Sequence, residues 1–357
     1  MMDLRSILIM HAALYPKMQV QDMYKLVYQN EFGGGHLVSD EQESLRRLLA
    51  EHEYIRQAGR KIPEGYQFID IGNGLCRLDL SVLEHTAISP STVNRFFVNT
   101  SKEVKGFIPG FEKKLDVLRH CCSTGEVGFP PADLEAFLDT YRIKGYPMVS
   151  HSEIYRAEYF PAYRVVKAEY RKYLKVFVET DNLMRTRERV LVAIDGNSGA
   201  GKSFLADLIA GVYDCNLFHM DDFFLRPGQR TEERLNKAGE FVDHERFSQE
   251  VIQGLKSGRP FSYRKFDCGT MDLGETVYVQ HKKLNVIEGS YSMHPSLAEN
   301  YDLKIFLHID PRGQERRIRE RNGEGMLQRF LGEWIPRENR YFEEMDIREK
   351  CHLVFGV

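Results

Sequence analysis

Two kinds of hydrophobic spacing divide the chain. Over the first half, the stretches 20–31, 40–57, 92–104, 130–141 and 163–176 return apolar residues every three or four positions, which predicts a mostly helical region. Residues 68–80 depart from that spacing. There β-branched and apolar residues surround Gly72-Asn73-Gly74, and the Asn-Gly pair predicts a hairpin closed by a tight turn. Near Thr186 the spacing changes again. The charged run 184–189 gives way to Val190-Leu191-Val192-Ala193-Ile194, a continuous apolar stretch of the kind a strand buried on both faces requires. Similar runs at 216–220, 284–287, 303–309 and 352–355 alternate with amphipathic segments, which predicts a doubly wound α/β domain on a parallel sheet. The expected organisation is a mostly α-helical (α+β) domain over 1–185 and an α/β domain over 186–357, with no internal repeat.

Composition narrows the functions this architecture could serve. With 42% hydrophobic and 28% charged residues, Gly 28 and Pro 13 among 357, the chain has the composition of a globular protein and not of a disordered or collagen-like one. Lys+Arg 49 against Asp+Glu 52 leaves a net charge of -3, so no global basic field favours nucleic acid or an anionic membrane. Phosphate binding would therefore have to be local. The apolar stretch 6–15 is interrupted by His11 and falls far short of the ~20 residues of a bilayer span, so no membrane segment is expected. The first residues lack the basic, apolar and small-residue order of a cleavable signal, which favours a cytoplasmic protein. Cys76, Cys121, Cys122, Cys215, Cys268 and Cys351 form no CxxC pair, so reduced thiols are expected rather than a zinc knuckle or a disulfide framework.

The sharpest local signal follows the run 190–195. Gly196-Asn197-Ser198-Gly199-Ala200-Gly201-Lys202-Ser203, with Phe204 opening an apolar helical pattern, is a phosphate-binding loop in its strand, loop and helix setting. Glycines at 196, 199 and 201 let the backbone turn its N–H groups inward, and the positive end of the following helix adds to the attraction for phosphate. Lys202 is placed to reach the β and γ phosphates, and the Ser203 hydroxyl to ligate Mg²⁺. This motif implies ATP or a similar triphosphate without saying what is done with it. Asn236-Lys237-Ala238-Gly239 lacks the Asp of a guanine-reading segment, which argues against a GTPase.

Carboxylates cluster at the strand ends, where open parallel sheets bind their ligands. Asp221 and Asp222 end the run 216–220, and Asp221 is the candidate base for a substrate hydroxyl attacking the γ-phosphate. Glu288 ends the run 284–287. An acid there is costly to bury without a cation or donors, which suits a metal site.

In order along the chain, the loop at 196–203, Met220-Asp221-Asp222-Phe223-Phe224, Asp243-His244-Glu245-Arg246-Phe247, Val286-Ile287-Glu288-Gly289 and the arginines after Asp310-Pro311 resemble the uridine kinase and phosphoribulokinase superfamily of P-loop kinases. The resemblance covers roughly 186–357 and implies a P-loop fold transferring phosphate to a small hydroxyl-bearing acceptor. It gives Asp221 the acceptor hydroxyl, sets Phe224 against the substrate, and assigns Glu288 to Mg²⁺ or its water shell. It also places Asp243 on ribose hydroxyls, although Asp243 is equally suited to cap a helix. The stretch 261–267, with Tyr263, resembles part of a nucleoside pocket, but 268–274 holds no histidine for base recognition, which turns the reading away from uridine itself. Residues 310–323 look like the arginine-bearing lid of these kinases. Arg317 and Arg321, four apart, share a helix face from which they could close on the transferring group.

Residues 1–185 resemble no known family. Gly33-Gly34-Gly35-His36 has neither a preceding strand nor a lysine and is read as a helix-ending turn. The segment from His151 through Tyr155, Tyr159 and Tyr163 to Arg164 concentrates aromatic and cationic groups that fit either a packed helix or a pocket or partner surface. The expectation is an ATP- and Mg²⁺-dependent kinase for a nucleoside, sugar or related metabolite, with a homo-oligomer left open. The rival is a nucleotide-sensing protein whose first half contacts a macromolecule.

Overall fold

The computed structural model describes residues 2–34, 40–60 and 67–357. The chain separates into two compact units, Met1–Val178 and Glu179–Val357. The division falls inside the helix Leu174–Thr186, just ahead of the change in hydrophobic spacing at 186.

The first unit builds its core from helices Leu4–Leu14, Val20–Phe32, Ile108–Ser123 and Pro131–Arg142, whose Ile7, Leu26, Phe111, Leu115 and Leu138 are buried together. Two further helices, Glu41–Gln57 and Pro90–Glu103, belong to the same unit. The hairpin β1 (Phe68–Gly72) and β2 (Leu75–Asp79) turns through Asn73 at φ 55° and Gly74 at φ 70°, the two positive angles a tight Asn-Gly turn needs. The helix Val20–Phe32 ends at Gly33, whose φ of 58° and N–H bond to the Gln29 carbonyl stop the coil. Gly35 and His36 of that glycine run lie outside the described residues.

One helical expectation is corrected. Residues 163–167 form a strand, β3 (Tyr163–Lys167), which pairs antiparallel with β2 to give the order β1-β2-β3, and helix begins only at Ala168. Val165 and Val166 are β-branched and find a backbone ladder along β2, a partner that local spacing does not reveal.

The second unit is a five-stranded sheet of order β10-β9-β4-β8-β5, parallel at every pairing. Its strands are β4 (Val190–Gly196), β5 (Cys215–His219), β8 (Leu284–Glu288), β9 (Leu303–His308) and β10 (Leu353–Gly356). Between β5 and β8 the chain makes a separate antiparallel hairpin, β6 (Phe261–Asp267) with β7 (Asp272–Val279), which the hydrophobic spacing did not single out. β4 has neighbours on both edges and is buried along its whole length, which accounts for its unbroken apolar sequence. Ala193, Phe218, Phe247, Ile287 and Tyr341 share the core beneath it. Register carries the fold to the chemistry. Ile194 and His219 both pair with Glu288, so the segments after β4, β8 and β5 leave the sheet side by side at one edge. Among the described residues, no helix is long and apolar enough to cross a membrane.

Candidate active site

The loop leaves β4 through three glycines with positive φ: Gly196 at 138°, Gly199 at 77° and Gly201 at 88°. Gly201 is also the N-cap of the helix Lys202–Ala210, so the unpaired N–H groups of that helix begin where the loop closes. Asn197 donates its N–H to the Leu307 carbonyl at 3.1 Å and ties the turn to β9. Ala200 is buried, and Phe204, on the first helical turn, is 48% exposed.

Lys202 curls back over the loop. Its Nζ donates to the carbonyls of Gly196 at 2.8 Å and Asn197 at 3.1 Å, and to Ser290 Oγ at 3.2 Å. Among the described residues no carboxylate forms an ion pair with this ammonium, so an incoming anion would displace only neutral acceptors from it.

Ser203, Glu288 and His219 meet on one carboxylate. Ser203 Oγ lies 3.2 and 3.3 Å from the two oxygens of Glu288, and His219 Nδ1 donates to Glu288 Oε1 at 2.6 Å. Glu288 is only 5% exposed, so these donors offset its burial. The hydrogen bond from His219 raises the imidazole pKa, burial opposes that, and the carboxylate charge adds to the rise. A serine hydroxyl beside a buried carboxylate is a hard oxygen set, and it fits Mg²⁺.

Asp221 follows β5 in a short turn, Met220–Phe223. Its side chain is open to solvent on one side yet walled by protein on the others. Desolvation pushes its carboxyl above the ordinary value of 3.8; Lys202 opposes this, and the negative charge of Glu288 adds to it. A carboxylate made more basic, beside the phosphate loop, is equipped to take a proton from an alcohol. Asp222 is turned to another task. Its Oδ2 accepts from the hydroxyl of Tyr263 at 3.1 Å, and its carbonyl accepts from Arg246 at 2.8 Å.

The remaining residues expected at the site divide into near and far. Arg317, on the helix Pro311–Arg329, donates Nη1 to the Gly199 carbonyl at 3.1 Å, and Gln314 donates to the Ser198 carbonyl at 3.0 Å, so this helix lies against the loop. Arg321 does not join it. Its Nε donates to the Asn322 side chain at 2.8 Å, and the helix breaks two residues on at Gly323, φ 78°. Tyr263 is 4% exposed and stacks on Phe223, so it supports Asp222 from within the core. Phe224 is half-buried, edge-on to Phe266 and bridged to Val242. Asp243 is the N-cap of the short helix His244–Phe247. One of its oxygens accepts from Arg246 N–H at 3.0 Å and the other from Gln229 Nε2 at 2.6 Å, at 4% exposure. It could reach a ribose only after Gln229 let go.

Two participants gave no sequence signal. Glu338, from the helix Ile335–Glu344, accepts from Ser198 N–H at 3.0 Å, Ser198 Oγ at 2.6 Å and Ser290 Oγ at 2.7 Å, and so clasps the loop to the segment after β8. Replacing Glu338 by Ala should cost about 1–3 kcal/mol, since it strips three half-buried donors of their acceptor. The urea midpoint followed by Trp334, the sole tryptophan and a residue of this unit, measures it. A change below about 0.5 kcal/mol would show that the clasp is dispensable.

Asp195 is fully buried and accepts from Gly196 N–H at 2.7 Å, Met293 N–H at 3.0 Å and Tyr341 O–H at 2.9 Å. Burial nevertheless lifts its pKa from 3.8 to about 6. Folding therefore takes up a proton between those values, and that stabilisation is lost as pH rises through 6. The stability of wild type relative to Asp195→Asn should fall by roughly 2–3 kcal/mol from pH 3.8 to pH 6 and stay level above it. Denaturation of both proteins across that range checks the slope.

Glu240, His244 and His294 also bring potential ligand atoms within 4.8 Å of one another. The two imidazoles, however, stack at 4.0 Å and 15°, so their in-plane lone pairs run side by side and do not converge on one ion. Packing explains them.

No protein-family model matches the sequence, and no curated protein matches it. Among solved structures, similarity reaches a protein described as a possible uridine kinase from Bacillus stearothermophilus, at 20% identity over 51% of this chain and 99% of that one, with a TM-score of 0.39. The YGR205w protein matches at 15% over 53% and 91%, TM-score 0.36. Shikimate kinase from Bacteroides thetaiotaomicron matches at 16% over 47% and 85%, TM-score 0.23. Each of these likenesses spans about half of this chain.

Proposed function

We propose that the second unit transfers the γ-phosphoryl group of ATP to a hydroxyl of a small metabolite, a nucleoside, a sugar or a related alcohol. The observation that supports this reading is the convergence at one sheet edge of an ammonium that forms no ion pair among the described residues, a serine–glutamate oxygen pair and a carboxylate of raised basicity.

In this reading the N–H groups from Gly199 to Phe204 and the ammonium of Lys202 hold the phosphates. Lys202 would exchange its carbonyl partners for phosphate oxygens, a charge-assisted and stronger bond. Ser203 and Glu288 would hold Mg²⁺, which when bound neutralises charge on the β and γ phosphates. Asp221 takes the proton from the acceptor hydroxyl as its oxygen bonds to the γ phosphorus and the bond to the β-phosphate oxygen breaks. Arg317, beside the loop, is placed to meet charge growing on the equatorial oxygens. Arg321 would have to leave Asn322 to contribute.

ADP release measured with Mg²⁺ and ATP across nucleosides, sugars and vitamin precursors tests this. At least one alcohol should raise the rate well above the acceptor-free value. Tight ATP binding with no alcohol raising the rate would favour the nucleotide-sensing rival.

A further inference from the structure

The first unit contains a cavity of about 270 Å³ that the proposed transfer does not use. Its lining carries three cations, Lys25, Arg47 and Arg164, against one carboxylate, Glu51. Glu51 is already committed to Arg164 at 2.7 Å, and Arg47 pairs with Glu43 at 2.9 Å. Lys25 differs from both. Its Nζ donates once, to the Val149 carbonyl at 2.7 Å, and among the described residues no carboxylate pairs with it. Two of its three N–H bonds are left for the cavity. Burial first, and then the charge of Arg77, pull its pKa down to about 8 against the opposing charge of Asp22, so the ammonium persists at neutral pH with no carboxylate among the described residues bonded to it.

The wall behind it is fixed by a chain of hydrogen bonds. Asp22 Oδ1 accepts from His151 Nδ1 at 2.8 Å; Ser152 N–H and Oγ at 3.0 and 2.7 Å also bind this carboxylate, whose pKa is lowered in spite of its burial. Burial holds His151 neutral, at about 4, so its Nε2 accepts the hydroxyl of Tyr163 at 2.6 Å. Gln29 donates to the same hydroxyl at 3.2 Å while its own oxygen holds Arg77 at 2.8 and 3.0 Å, and Arg77 lies 4.6 Å over the Tyr163 ring. Every member is constrained by the next, so the pocket is formed before any ligand arrives. The ring of Phe97, with the Arg164 guanidinium 5.8 Å above it, also lines the cavity and supplies an apolar surface.

We propose that this cavity is a binding site for a small anionic metabolite, whose carboxylate or phosphate group sits on Lys25 with Arg47 and Arg164 and whose uncharged body lies against Phe97.

Titration calorimetry on the full chain at pH 7, with phenyl phosphate, benzoate and neutral benzyl alcohol as probes, tests the site. One or both anions should bind at least about tenfold more tightly than the alcohol, as expected for charge-assisted bonds. Whichever anion binds tighter identifies the head group as phosphate or carboxylate. Lys25→Gln and Arg47→Gln should each weaken that binding, the first by about tenfold or more. Arg47 lies at the surface, so its variant decides the matter even where Lys25→Gln folds poorly. Equal affinity for the alcohol and the anions, no heat from either anion at about 10 mM, or unchanged anion affinity in a folded Arg47→Gln protein would overturn the proposal.

Discussion

Asp221→Asn should lower kcat for phosphoryl transfer by about 10²–10⁴-fold, the range lost when a positioned general base is removed. The amide keeps the shape of the carboxylate and cannot accept the proton. ATP affinity should hold or tighten, because the change removes a negative charge from beside a triphosphate and relieves its interaction with Glu288. The two effects separate chemistry from binding. The same carboxylate sets a pH dependence. Its pKa lies above 3.8, so kcat should fall as pH drops through that raised value, and the acid limb should vanish from the residual activity of the variant. Steady-state rates against pH for both proteins, with ATP affinity measured at equilibrium, check this. Unchanged turnover would remove Asp221 from its role.

Gly196→Ala carries the largest expected loss of stability. A Cβ at this position would stand 1.9 Å from the Leu307 carbonyl oxygen and 2.8 Å from both its carbon and the Leu307 nitrogen, and φ is 138°, where residues with a side chain are strained. Leu307 is backbone of β9 and pairs directly with Gly196, so nothing can yield without separating β9 from β4. The expected cost is about 3–5 kcal/mol, with ATP binding lost because the loop cannot form its turn. Urea unfolding followed by Trp334 reports this unit, and a shift below about 1 kcal/mol would mean that the sheet accommodates a methyl group there.

How much of this was legible in the sequence depended on distance along the chain. The loop from Gly196 to Ser203 was readable because its strand, turn and helix are contiguous and each glycine answers a local backbone need. The Asn73-Gly74 turn was readable for the same reason. Strand β3 was not, because Val165 and Val166 become strand by pairing with residues about ninety positions earlier. Asp243 shows the limit of motif order. Its place in the motif suggests a ligand, while Gln229 and the Arg246 N–H make it a cap. Arg317 and Arg321 share a helix face on paper, yet the break at Gly323 accompanies a different partner for the second. Glu338 lies 140 residues from the serine that it holds, in a helix rich in charge, and nothing in that helix distinguishes it from its neighbours. Asp195 reads as one more residue of the strand until Met293 and Tyr341 surround it.

In the proposed reading the turn at 196–203 holds a triphosphate while Asp221 faces the oxygen that receives its terminal group. This arrangement is tested most directly by following the γ-phosphoryl group itself, with labelled ATP, Mg²⁺ and an excess of enzyme in a single turnover beside a pool of alcohols. The label should leave ATP and appear on an alcohol oxygen as a phosphomonoester, one for each ADP formed. Label that stays on ATP, or that emerges as free phosphate at the same rate with and without the alcohols, would contradict it.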